Sequence, residues 1–304
     1  MSLFLSGKKK DAAIMSTSID KQIKLHDGRS LGYIEIGDPG GEPLFYFHGF
    51  PGSRIEVKIS GQVAEQLKAR IIAIDRPGFG CSDFKYGRTI TDWPNDVTEL
   101  ADALGLERFA VVGASGGGPY SAVCALKIPH RLTGAGIVCG LGPLDAPGLT
   151  NGMIWYNRIG IFLSRRFPWL IKFLITLVAR RIRLHPELLL SHLFATLSAP
   201  DKEILDRAEF KQLLIDSFRD AFLSGSRGAA WELVLYGRPW AFRLQDIAME
   251  VRLWHGELDV IVPPSMGRYQ ESIIPKCIAT YYGNEGHFSL VVNHMEEIIG
   301  ALIR

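Results

Sequence analysis

The sequence predicts an α/β fold, a doubly wound and mostly parallel sheet into which an all-helical cap is inserted. Short apolar runs alternate with segments of helical spacing over residues 22–140 and again over 247–304. That alternation is typical of a parallel sheet covered by helices. Residues 141–246 show helical patterns and no convincing strand. Loops rich in glycine and proline follow the apolar runs, at the strand ends where such sheets bind ligands.

The elements of the first part follow in chain order. Residues 22–35 alternate in polarity around Asp27-Gly28, which predicts a β-hairpin. The wholly apolar runs at 44–47 and 71–74 predict buried strands, and the segment between them at 57–68 has helical spacing. Further helices are predicted at 91–104 and 120–128, and further strands at 109–112 and 135–139.

The alternation stops after residue 139 and resumes near residue 251. Within the interruption, the apolar residues of 210–222 fall on one helical face, and Gly225 closes that helix. Strands at 251–254 and 278–282 and helices at 262–274 and 288–303 then complete the pattern. The predicted organisation is an N-terminal tail at 1–21, a core at 22–140 and 247–304, and a helical cap at 141–246.

Composition narrows the class of protein. The formal net charge of +2 over 304 residues gives no reason to expect nucleic acid as a partner. The four cysteines are scattered, without the density of a disulfide framework or the spacing of a metal site. Near the N-terminus the basic residues follow the apolar ones, the reverse of a secretory signal. We therefore expect a cytoplasmic protein that needs no metal and no cofactor.

The segment Gly113-Ala114-Ser115-Gly116-Gly117 lies between a predicted strand and a predicted helix. In that context Gly-x-Ser-x-Gly predicts a nucleophile elbow, a turn so tight that the serine hydroxyl stands clear of the backbone. A side chain at Gly113 or Gly117 would collide with the crossing backbone. An isolated pentapeptide of this kind can also be an ordinary strand-turn-helix, so the partners of the serine decide between the two.

A serine hydroxyl needs a base within hydrogen-bond reach to act as a nucleophile at neutral pH. His287 follows the last predicted strand, and Asp259 follows the strand before it. The chain order serine, aspartate, histidine is the one expected with the elbow. Asp145, which follows the strand at 135–139, is the rival for the acid. His48 is predicted to hold its own loop rather than to take part in chemistry.

On these residues the chain resembles the α/β-hydrolase family, in the capped branch that includes esterases, iminopeptidases, carbon–carbon bond hydrolases, epoxide hydrolases and haloalkane dehalogenases. Residues 48–52 resemble the family's oxyanion loop, and residues 75–82 resemble the loop after its fourth strand. The resemblance implies that Ser115 is the nucleophile, His287 the general base and Asp259 the acid that orients it.

The same resemblance implies that the backbone N–H groups of Phe50 and Gly116 form the oxyanion hole. Dehalogenases and epoxide hydrolases of this branch carry an aspartate where Ser115 stands, so those two chemistries are disfavoured. What remains is acyl transfer to water through an acyl-serine. The substrate expected is a small to medium carboxylic ester with an apolar acyl or aromatic part.

Three alternatives stay open. A proline-type aminopeptidase would need cap carboxylates, such as Glu187 or Glu232, to bind the free amine of its substrate. A carbon–carbon bond hydrolase would use the same three side chains on a diketone. A ligand-sensing receptor would use the fold as a binding pocket without turnover.

The cap is predicted to form a lid whose aromatic residues wall the pocket. Over 169–181 the polar residues form one narrow stripe, and basic residues crowd nearby. Such a helix can lie on a membrane surface, but burial against the core or a second subunit of a homodimer is favoured because the apolar arc is wide. The predicted pocket residues are Trp155, Tyr156, Trp231, Tyr236 and Trp240.

Overall fold

The computed structural model describes residues 20–146 and 148–303. The strands of this part of the chain are β1 (Lys21–Lys24), β2 (Ser30–Gly37), β3 (Glu42–Phe47), β4 (Ala69–Ile74), β5 (Phe109–Ala114), β6 (Leu132–Val138), β7 (Val251–Gly256) and β8 (Cys277–Tyr282). They form one eight-stranded sheet in the order β1-β2-β4-β3-β5-β6-β7-β8. β2 is antiparallel to β1 and β4, and every other neighbouring pair is parallel. The predicted fold class is confirmed.

Helices cover both faces of the sheet because both faces of its central strands are apolar. Side chains alternate between the faces of a strand. Phe45 and Val111 accordingly belong to one buried cluster, and Leu44 and Val112 belong to another. The helices of the core are α1 (Gly61–Gln66), α2 (Trp93–Ala103), α3 (Gly118–Lys127), α10 (Pro264–Ile273), α11 (His287–Asn293) and α12 (Met295–Leu302).

Two predicted helices differ from the structure in detail. The segment predicted as helical at 57–68 begins as the 3-10 helix Arg54–Ser60 and continues as the short α1. The closing helix predicted at 288–303 is broken into α11 and α12. At the break the side chains of Asn293 and His294 both contact the Glu285 carboxylate.

Helices joined by loops separate β6 from β7, and the structure describes no strand among residues 139–146 and 148–250. The helices of the insertion are α4 (Trp155–Arg166), α5 (Pro168–Leu184), α6 (Pro186–Thr196), α7 (Ala199–Leu205), α8 (Ala208–Ala221) and α9 (Arg227–Gly237). α4 and α5 pack on each other and on α9, while α8 packs on the segment Arg54–Ser60 beside β3.

β1 begins at Lys21, and residues 1–19 of the predicted tail lie outside the described residues.

Candidate active site

The sheet brings Ser115, Asp259 and His287 together from three strand ends. Ser115 directly follows β5, Asp259 follows β7, and His287 opens α11 after β8. These strands are parallel, and β6 is the one strand that separates β5 from β7. Their carboxyl ends therefore lie at one edge of the sheet, which is where open α/β sheets hold their sites.

The turn at Ser115 has the geometry of an elbow. Ser115 has a φ of 54°, a left-handed conformation that non-glycine residues rarely adopt. Its carbonyl oxygen accepts a hydrogen bond from Leu141 N at 3.0 Å, which helps to hold the strained backbone. A Cβ on Gly113 would lie 2.2 Å from the Gly117 carbonyl oxygen, and one on Gly117 would lie 2.1 Å from that of Phe47. Both glycines are required by the close approach of the backbone.

His287 and Asp259 form a hydrogen-bonded pair at the same edge of the sheet. His287 Nδ1 lies 2.7 Å from Asp259 Oδ2, and Asp259 Oδ1 accepts hydrogen bonds from Ile261 N and Val262 N, each at 2.8 Å. Burial opposes a charge on the imidazole, but the Asp259 carboxylate keeps the pKa of His287 above its ordinary value. Asp145 is exposed on the loop after β6. The structure thus places Asp259, and not Asp145, against the histidine.

The loop at residues 48–52, which was predicted to be the oxyanion loop, packs directly on the serine. A Cβ on Gly49 would lie 3.5 Å from the Cβ of Ser115, and a Cβ on Gly116 would lie 2.9 Å from the Cβ of Phe50. His48 is fully buried, and its Nε2 accepts a hydrogen bond from Arg76 N at 3.2 Å. Burial and the nearby Arg76 hold the pKa of His48 well below its usual value. His48 is therefore a neutral side chain that holds its loop.

A buried carboxylate from the insertion supports this loop as well. The Glu232 carboxylate on α9 contacts Arg76 and Arg88, and Arg76 donates in turn to the carbonyl oxygens of His48 and Gly49. Burial would raise the pKa of Glu232, but the two guanidinium groups hold it below its ordinary value. Glu232 lies in this ion network, so it is not free to bind the amine of a substrate.

Replacing Glu232 with glutamine is expected to lower the free energy of unfolding by about 3–5 kcal/mol, because Arg76 and Arg88 would remain buried without a counter-charge. Denaturant unfolding followed by circular dichroism measures the change. Glu187→Gln is the matched control, since its side chain is 60% exposed on α6 and should change stability little. Equal losses in both variants would contradict the role assigned to the network.

Asp201, on α7 of the insertion, is a site residue that the sequence analysis missed. Its Oδ2 accepts a hydrogen bond from His287 N at 2.9 Å, and its Oδ1 accepts from Phe288 N at 2.8 Å and Ser289 N at 2.9 Å. These are the unsatisfied N–H groups at the start of α11, where a carboxylate is stabilising. Asp201 thus fixes the backbone of the histidine from 86 residues away along the chain.

A cavity of about 460 Å³ opens at Ser115 and His287. That volume suits a small organic molecule. α8 supplies apolar walls to it through Phe210, Leu213, Leu214 and Phe218. Trp155 and Tyr156, two of the predicted pocket residues, also line it.

Trp231, Tyr236 and Trp240 do not line this cavity, which corrects the prediction for these three. The Tyr236 hydroxyl lies 2.7 Å from the Gly116 carbonyl oxygen and 2.8 Å from Glu232 Oε1, so this ring supports the elbow. Trp231 Nε1 donates to the Arg88 carbonyl oxygen at 2.9 Å. Trp240 is buried in the core and stacks on Phe242. The faces of α9 that carry Trp231 and Tyr236 pack on the core.

Glu56 brings a carboxyl group into the mostly apolar lining of the cavity. Its Oε2 accepts hydrogen bonds from Gly49 N at 2.9 Å and from the Tyr46 hydroxyl at 3.0 Å. Burial raises the pKa of this carboxyl above its ordinary value. The sequence analysis missed Glu56, because it lies in the 3-10 helix Arg54–Ser60, just before the helix predicted at 57–68, and carries no local signal.

Among the described residues, Cys139, His255 and Asp259 are close enough together to hold a metal ion, with one donor atom of each within 4.8 Å of the others. Asp259 and His255 already have hydrogen-bond partners within the protein. Asp259 binds His287 and two backbone N–H groups, and His255 Nε2 lies 2.8 Å from the Val262 carbonyl oxygen. Burial raises the pKa of the Cys139 thiol well above its usual range. This arrangement fits a hydrogen-bonded cluster better than a metal centre.

A family model described as the alpha/beta hydrolase fold matches residues 42–293. The chain belongs to the α/β-hydrolase family. The match includes all three strand ends that carry Ser115, Asp259 and His287, and it includes the helical insertion between β6 and β7.

Individual proteins are similar to this α/β hydrolase over shorter stretches or at lower identity. An uncharacterised hydrolase of Saccharomyces cerevisiae is 33% identical over 160 residues, which is 49% of this chain and 54% of that protein. A proline iminopeptidase of Neisseria meningitidis is 30% identical over 137 residues, 44% of this chain and 42% of that one. The chain thus spans about half the length of these curated relatives.

Solved structures resemble nearly the whole chain. A thermophilic esterase from Thermogutta terrifontis has a TM-score of 0.65 and 20% identity, with 95% of this chain and 100% of that chain covered. A probable hydrolytic enzyme from Pseudomonas aeruginosa has a TM-score of 0.69 and 18% identity, with 94% of each chain covered. At these identities the likeness concerns the fold.

Proposed function

We propose that this α/β hydrolase is a serine hydrolase that cleaves a small to medium carboxylic ester with an apolar acyl or aromatic part. The observation that carries the proposal is the arrangement of three side chains. Ser115 and His287 line one cavity, and Asp259 is hydrogen-bonded to Nδ1 of the His287 imidazole. A serine, a histidine and a carboxylate bound to the histidine are the three groups that serine hydrolysis uses, which supports the proposal.

In the proposed reaction, the Ser115 oxygen attacks the ester carbonyl while His287 Nε2 takes the hydroxyl proton. Asp259 stabilises the imidazolium that forms. The backbone N–H groups of Phe50 and Gly116 donate to the oxyanion of the tetrahedral intermediate. The intermediate expels the alcohol, which receives the proton from His287 and leaves an acyl-serine. A water molecule, deprotonated by the same histidine, then releases the carboxylic acid and regenerates the hydroxyl.

The mostly apolar lining of the cavity favours a substrate with an apolar acyl or aromatic group. We propose that the insertion at 141–246 acts as a lid, since α8 and the start of α4 wall the cavity above Ser115. The four cysteines of the chain, all outside this insertion, are free thiols, which suits the reducing cytoplasm where we place the protein.

The second candidate is a proline-type aminopeptidase, and Glu56 is the observation that favours it. A carboxylate in the cavity could bind the amine of a substrate, and the relatives include proline iminopeptidases. The cap carboxylates expected for this role fit less well. Glu232 lies in the ion network, and the Glu187 side chain is 60% exposed beside His185.

A substrate panel separates these candidates. We expect p-nitrophenyl butyrate to be hydrolysed with a kcat/KM roughly 10–100-fold above that of proline p-nitroanilide, because a mostly apolar pocket favours the acyl chain. Ester and anilide turnover are both followed by the absorbance of the released chromophore. A faster anilide reaction, with a KM that rises in Glu56→Gln, would replace the esterase proposal by the aminopeptidase.

A further inference from the structure

Two neighbouring helices of the insertion present large apolar side chains to solvent. On α4 these are Trp155, Ile159 and Phe162, at positions i, i+4 and i+7 of one helical face. On α5 they are Trp169, Phe173 and Leu177, at i, i+4 and i+8. The two tryptophans are 67% and 71% exposed. Side chains of this size are normally buried, so a contiguous set marks an interaction surface.

These two rows belong to one surface. α4 and α5 pack on each other, and both pack on α9. Their buried residues, Ile161 on α4 and Ile171 and Ile182 on α5, face inward. The opposite sides of both helices therefore face solvent together. We name this surface the α4–α5 face, defined by the six apolar residues above.

The charged residues of α4 and α5 have one sign. Residues 155–184 contain no aspartate and no glutamate, although the whole chain has a formal net charge of only +2. Basic side chains beside an exposed apolar helical surface rich in tryptophan are the features of a helix that lies in the interface of an anionic bilayer. The basic residues are Arg158, Arg165, Arg166, Lys172, Arg180, Arg181 and Arg183.

The α4–α5 face also borders the cavity of the candidate active site. Trp155 belongs to the face and lines the cavity that contains Ser115, and Tyr156 beside it lines the same cavity. If the α4–α5 face lay on a membrane, the membrane surface would therefore contact the protein beside the cavity, on the side of α4. A molecule that partitions into a bilayer would be held close to the serine.

We propose that the α4–α5 face docks this protein on an anionic phospholipid surface. None of the described helices is long and apolar enough to cross a membrane. A second copy of the chain is a poorer occupant. A symmetric dimer through this face would bring the basic residues of both copies together, with no carboxylate in 155–184 to separate them. The proposal does not depend on the reaction at Ser115.

Flotation with vesicles tests the docking without turnover. The wild-type protein should float with vesicles of phosphatidylcholine mixed with phosphatidylglycerol, and less with phosphatidylcholine alone. Trp169→Glu combined with Phe173→Glu should remove flotation. Arg166→Glu combined with Lys172→Glu should weaken the apparent affinity by about tenfold or more, since each basic residue near the surface contributes severalfold. Raised ionic strength should weaken it as well.

Ile278→Glu is the matched control, because Ile278 is 48% exposed on β8 and lies outside the α4–α5 face. This variant should float as the wild-type protein does. Circular dichroism melting establishes that each variant is folded. Three outcomes would overturn the proposal. They are wild-type protein that stays in the soluble fraction with the anionic vesicles, variants of the α4–α5 face that float as well as wild type, or a dimer in solution that Trp169→Glu dissociates while no vesicle is bound.

Discussion

Replacing Ser115 with alanine should reduce kcat for ester hydrolysis by roughly 10⁴–10⁶-fold, because nucleophile and base act as a unit. The Ser115 side chain lines the cavity together with His287, and the strained backbone at the turn presents its hydroxyl there. The histidine has no proton to take once that hydroxyl is gone. What activity remains would come from binding and the oxyanion donors alone.

A fluorophosphonate probe measures the same assignment by covalent labelling. The wild-type protein should be labelled, and Ser115→Ala should not. Ser121→Ala is a matched control from the helix that follows the elbow, because Ser121 is buried and is not among the residues that line the cavity. This control should be labelled like the wild type. Equal labelling of the Ser115→Ala variant would show that another residue is the nucleophile.

The sheet was predictable because its signals are local. A buried parallel strand is a short apolar run, and each loop that follows one is marked by glycine or proline, as at residues 48–52 and 113–117. The parallel order then forces the ends of β5, β7 and β8 to one edge. Ser115, Asp259 and His287 could therefore be predicted to lie near one another, although the same reasoning left Asp145 after β6 as a rival for the acid.

The contributions of the insertion were not predictable from the sequence. Asp201 contacts the start of α11, and Glu232 contacts Arg76 on the loop after β4, at separations of 86 and 156 residues. Neither contact has a periodic or local signature. Helical spacing shows which residues share a face, as Glu232 and Tyr236 do, but not what that face packs against. The aromatic residues of α9 were predicted to line the pocket for this reason, and they support the elbow and the core instead.

Replacing Asp259 with asparagine should lower kcat by up to about 10⁴-fold with little change in substrate binding. The carboxylate lies 2.7 Å from His287 Nδ1, and in the proposed reaction it keeps the imidazole in the working tautomer and stabilises the imidazolium of the transition state. An amide can do neither in full. Asp145→Asn should cost little, because Asp145 is exposed on the loop after β6.

The pH dependence gives this prediction a second readout. The base must be uncharged to take the serine proton, so kcat/KM should fall as the pH drops through the pKa of His287. Burial disfavours the charged imidazole, but the Asp259 carboxylate more than offsets this and holds that pKa above the ordinary value of 6.5. The acidic limb of the wild-type profile should therefore lie above pH 6.5, and Asp259→Asn should move it to lower pH because the negative charge is lost. Asp145→Asn should leave the limb in place. A collapse of kcat and a displaced limb in folded Asp145→Asn, with Asp259→Asn close to wild type, would move the acid to Asp145.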